Sequence, residues 1–70
     1  MEAFQISVNN RKFNITPKED DSFQIESVEG ELFVILPDIA DIGLVWRLVN
    51  GIAAEELVQS IGEAIEEYEM

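Results

Sequence analysis

Phe4, Ile6 and Val8 alternate with Gln5 and Ser7, Phe13 and Ile15 alternate with Lys12 and Asn14, and Asn9-Asn10 lies between the two runs. A period of two is the spacing of side chains along a β-strand. Asn is one of the few residues besides Gly that accept the positive φ of a two-residue hairpin turn. The pattern therefore predicts a hairpin in which Val8 faces Arg11, Ile6 faces Phe13 and Phe4 faces Ile15. Their apolar side chains share one face, and Gln5, Ser7, Lys12, Asn14 and Thr16 are left for water. A chain that begins this way must find a cover for one face of a sheet.

Residues 17–22 read as a connection, because Pro17 cannot donate to a central ladder and nothing apolar follows until Phe23. Two further runs, 23–28 and 31–36, flank Glu29-Gly30. Taken as a two-residue loop, Glu29-Gly30 pairs Phe23 with Leu36, Ile25 with Val34 and Ser27 with Leu32. Val28, Phe33 and Ile35 then point to the opposite face. A single helix covers only one side of a sheet, so Phe33, Ile35 and Val28 are the expected interface, and a homodimer through this second hairpin is the expected assembly.

Pro37-Asp38 is expected to end the fourth run, and segment 39–50 admits two readings. As a helix it would start with Asp38 as N-cap and bury Ile39, Ile42, Val45, Trp46 and Val49. As a strand after a loop at Gly43 it would set Leu44, Trp46 and Leu48 against Val45, Arg47 and Val49. The strand is preferred, since Leu44-Val45-Trp46 and Leu48-Val49 are rich in strand formers and Gly43 weakens a helix interior.

The last segment has the helical period. Steps of about 100° from Glu55 place Ala54, Leu57, Val58, Ile61, Ala64, Ile65 and Tyr68 on one arc. Glu55, Glu56, Gln59, Ser60, Glu63, Glu66 and Glu67 fill the other. Gly62 falls mid-helix at a cost of roughly 1 kcal/mol relative to Ala, which implies close approach to another element. The expected fold is α+β: an antiparallel β-meander of four or five strands, with one C-terminal amphipathic helix packed on one sheet face. It forms a single small domain spanning 1–70. Leu57, Ile61, Ile65 and Tyr68 should meet Phe4, Ile6, Phe13, Ile15, Ile25 and Val34, and Trp46 should pack between sheet and helix.

Charge and missing residue types narrow the function. With 15 acidic and 4 basic residues the net charge is −11, the wrong sign for neutralising phosphates or docking on anionic lipid. His and Cys are both absent, which removes the usual general base, the commonest zinc ligands and the Ser-His pairing. Glu19-Asp20-Asp21, Asp38 and Asp41 lack the spacing of a calcium loop and read as solvated turns. The glycines show no phosphate-cradling motif, and Arg47 reads as an exposed strand position rather than an anion clamp. No catalytic residue, metal or cofactor is expected. The longest apolar run, 32–36, is far short of a membrane span, and no signal peptide is visible, so a cytoplasmic location is expected.

At the Trp-bearing strand followed by Glu56-Leu57-Val58-Gln59-Ser60-Ile61-Gly62-Glu63-Ala64-Ile65-Glu66, the chain resembles a loose set of short uncharacterised bacterial proteins. Those are meandering hairpins closed by an acidic C-terminal helix. The resemblance covers about the last third of the chain, implies a strand over 43–49 and carries no activity. The expected function is a noncatalytic protein-interaction module, self-associating or bound to another protein. The alternative is an acidic inhibitor whose face of Glu55, Glu56, Glu63, Glu66 and Glu67 mimics nucleic acid and occupies a DNA- or RNA-binding protein.

Overall fold

The computed structural model describes residues 2–69. Strands β1 (Phe4–Val8), β2 (Arg11–Pro17), β3 (Phe23–Ser27), β4 (Leu32–Ala40) and β5 (Gly43–Asn50) form one antiparallel sheet in sequence order, and helix α1 (Glu55–Glu69) packs across one face. The class is α+β, as the patterning predicts.

The first hairpin has the expected register, with Phe4 opposite Ile15, Ile6 opposite Phe13 and Val8 opposite Arg11. Asn9 and Asn10 take φ of 52° and 66°, the paired left-handed conformations that a two-residue loop of this hand requires.

The second hairpin is shifted by one residue from the expected register. Phe23 lies opposite Ile35 and Ile25 opposite Phe33. The loop is Val28-Glu29-Gly30: the Gly30 N–H donates to the Ser27 carbonyl at 3.0 Å, and the Ser27 N–H donates to the Glu31 carbonyl at 2.9 Å. Only Gly30 is left-handed there, with φ 102°. A two-residue primed turn would have demanded positive φ at Glu29 as well, a costly conformation for a long side chain. The added loop residue exchanges the faces of β4. Phe33 and Ile35 therefore lie in the core, 2% and 0% exposed, instead of at an interface; Val28 remains exposed in the loop.

The β2–β3 loop repeats this geometry. The Lys18 N–H donates to the Ser22 carbonyl at 2.9 Å and the Asp21 N–H to the Lys18 carbonyl at 3.3 Å, while Asp21 takes φ 70°.

Segment 39–50 is strand, but β4 does not end at Pro37. It continues to Ala40, and Pro37 sits opposite Trp46. Strand β3 begins at Phe23, opposite Ile35, so no neighbour on that side waits for the N–H that Pro37 lacks. Beyond Ile35 the hairpin is thus a two-stranded arm ending at Asp41-Ile42.

Helix α1 closes the core with Val58, Ile61 and Ile65 against Ile6, Phe13, Ile15, Ile25, Phe33 and Ile35. Val34, expected among these partners, faces away, displaced by the same register shift. Tyr68 also departs from expectation: it stacks on Phe4, ring centroids 4.0 Å apart, yet stays 61% exposed because both lie at the sheet margin. Gly62 has the close approach its position implies. A Cβ there would stand 2.2 Å from Trp46 Cδ1, so the helix can cross the indole only where it has no side chain.

Candidate association surface

Trp46 fixes the helix to the sheet edge. Gln59, Gly62 and Glu66 are spaced so that successive turns of α1 present them on one side. The Trp46 N–H donates to Gln59 Oε1 at 3.3 Å, Gln59 Nε2 donates to the Trp46 carbonyl at 2.6 Å, and the indole N–H donates to Glu66 Oε2 at 2.9 Å. Phe23 meets the indole at 5.6 Å with the rings tilted. A primary amide offers the same donor and acceptor as a neighbouring strand, so Gln59 occupies the middle of the otherwise open β5 edge.

Sequence reasoning placed Gln59 and Glu66 on the solvated arc. The signal that marks them is their i−3 and i+4 spacing about Gly62, the one helical position open enough to admit an indole. Of the acid face, Glu55, Glu56, Glu63 and Glu67 are exposed, whereas Glu66 is half-buried and held by Trp46.

The cations are distributed unevenly. Arg11 Nε lies 3.2 Å from Glu29 Oε1, its Nη2 pairs with Glu31, and its guanidinium carbon stands 5.1 Å from the Phe13 ring centroid. The hydrogen bond to Glu31 holds its pKa above the ordinary arginine value. Arg47 is exposed, as expected, and reaches Asp38 Oδ2 at 2.9 Å. The Asp20 carboxyl accepts from the Ser22 hydroxyl and, at 3.1 Å, from the Ser22 N–H. These bonds, the hydroxyl first, hold its pKa below the usual carboxylate range. Among the described residues no three carboxylates converge as a metal site would need.

An open groove of 720 Å³ runs between the β5 edge and the start of α1, lined by Trp46, Leu48, Ala53, Val58 and Gln59 among others. Its ionisable groups are Arg47 and Glu55, and among the described residues no hydroxyl lines it.

The side of the sheet away from α1 is divided. Across β1, β2 and β3 it carries Gln5, Ser7, Lys12, Asn14, Thr16, Gln24 and Glu26. Across β4 and β5 it carries Leu32, Val34, Leu36 and Val45, with Asp38 and Arg47 beside them. Of the described strands and helix, none packs on this side. No family model matches the chain, and no curated protein or solved structure matches it significantly. Among the described residues no helix is long and apolar enough to cross a membrane.

Proposed function

We propose that the chain is a noncatalytic protein-interaction module that associates with a second copy of itself. One observation carries this reading. Of the nine large apolar side chains exposed among the described residues, seven lie within residues 32–52. That segment holds two carboxylates and one cation, so ten of the eleven net negative charges lie elsewhere. Two strongly anionic copies repel one another except where the surface is neutral, and this neutral stretch is also the apolar one. Sedimentation over a rising concentration series tests the proposal. The expected result is a particle of twice the 7.9 kDa chain mass.

The second reading, an acidic inhibitor that mimics nucleic acid, draws on Glu55, Glu56, Glu63 and Glu67, which no cation on α1 neutralises. Reversing those four to Lys separates the two. The mimic loses a basic partner held at low salt, while the self-associating module keeps its second copy.

A further inference from the structure

We infer that the second copy docks on the uncovered side of β4 and β5, sheet against sheet about a two-fold axis. This inference rests on the self-association proposed above and names its surface. Strand addition along the β4–β5 arm is disfavoured, because Gln59 takes up both backbone groups of Trp46 on β5 and Pro37 removes a donor from the open side of β4. Contact through this apolar hairpin is therefore made by a face.

Of the two faces of this hairpin, the one toward α1 is closed over Trp46 and leaves Ile39, Leu44 and Leu48 exposed along the arm, but its strand residues include no charged side chain by which one copy could orient on another. On the other face Leu32, Val34 and Leu36 succeed one another along β4. Leu36 stands opposite Arg47 and Asp38 opposite Val45, so the patch crosses to β5 without a gap.

Charge makes this patch suited to its own copy. An isologous interface requires that one surface complement itself. Asp38 and Arg47 carry opposite charges at adjoining pair positions, with side chains 46% and 68% exposed. A two-fold rotation can offer each Arg47 a second Asp38 and each Asp38 a second Arg47. The polar half of the same face, with Glu26 and the neighbouring loop carboxylates, is left at the rim.

Charge reversal in separate copies tests the surface. Asp38→Lys leaves the patch wholly cationic, and Arg47→Glu leaves it wholly anionic. Each variant alone should dimerise about tenfold or more weakly than the native chain, and an equimolar mixture should recover a heterodimer in native mass spectrometry. Recovery on mixing also shows that each variant is folded. Ile42→Asp, at the tip of the arm, should leave the dimer constant within about twofold, since it lies off the patch. If the native chain dimerises and both reversed variants dimerise equally well, this surface is wrong while self-association stands. A native chain that stays monomeric at the highest concentration overturns both, leaving the face to a different protein.

Discussion

The β1–β2 hairpin and the β4–β5 hairpin belong to one sheet and share one core, but they are finished differently on the far side. On β1 and β2 every outward side chain is polar, and neighbours satisfy one another: Gln5 Nε2 donates to Asn14 Oδ1 at 3.2 Å across the pair. Water completes that half. On β4, Phe33 and Ile35 fill the core while Leu32, Val34 and Leu36 face outward, the pattern of a strand covered on both sides. The same strand overshoots β3 to form an arm with no third strand beside it. One half is complete as a monomer, and the other has apolar surface that a monomer leaves open.

The widest gap in this comparison lies between two residues of one strand. Phe33→Ala should cost about 3 to 5 kcal/mol, enough to unfold most of a domain whose whole stability is about 5 kcal/mol. Leu36→Ala, on the outward side, should change monomer stability by about 1 kcal/mol or less. Urea denaturation at dilute protein concentration measures both, and equal losses would break the assigned register.

A smaller effect is expected where helix meets sheet. Gly62→Ala should destabilise by about 1 to 3 kcal/mol through collision with the indole. In a Trp46→Leu background the same change should cost much less, and a double-mutant cycle reads the difference. Gln59→Ala should cost about 0.5 to 1.5 kcal/mol by leaving the Trp46 backbone unpaired. It should also promote edge-to-edge aggregation, visible as light scattering, because β5 then presents an open ladder.

The smallest effect concerns acid. Asp20 has its pKa lowered in the folded state, so its contribution is full above its unfolded value of about 3.9 and fades as pH falls through the folded one. Asp20→Ala should therefore lose less stability than the native chain on going from about pH 5 to about pH 2. Parallel acid losses in thermal melts would show that the Ser22 contacts contribute nothing.

How far the sequence revealed this structure depended on how many conformations each turn allowed. Asn9-Asn10 left one solution and set the first hairpin. Glu29-Gly30 left two, and the run of apolar residues from Leu32 to Leu36 could not choose between them, because either register buries a full set. The deciding fact was that Glu29 resists positive φ, which favours the three-residue loop with Gly30 alone left-handed. The interface expectation at Phe33 and Ile35 fell with that register, while the idea of an uncovered apolar side moved to their neighbours. Pro37 misled for a related reason: it forbids a ladder bond only where a neighbouring strand would receive one. In α1 the apolar stripe located the core residues Val58, Ile61 and Ile65 directly. The tasks of Gln59 and Glu66 were hidden, since both depend on where a Trp from another element arrives.

The central claim is that a strongly anionic chain associates through an apolar surface of low net charge, and salt tests it most directly. Screening shortens the reach of charge from about 10 Å at 0.1 M to about 3 Å at 1 M, which weakens repulsion between the distant carboxylates far more than it affects apolar contact. Sedimentation equilibrium across that range should show the dimer tightening steadily as salt rises. A dimer that loosens with salt would show that attraction such as that between Asp38 and Arg47, rather than apolar contact freed from repulsion, dominates the association, and a monomer at every salt concentration would contradict the account altogether.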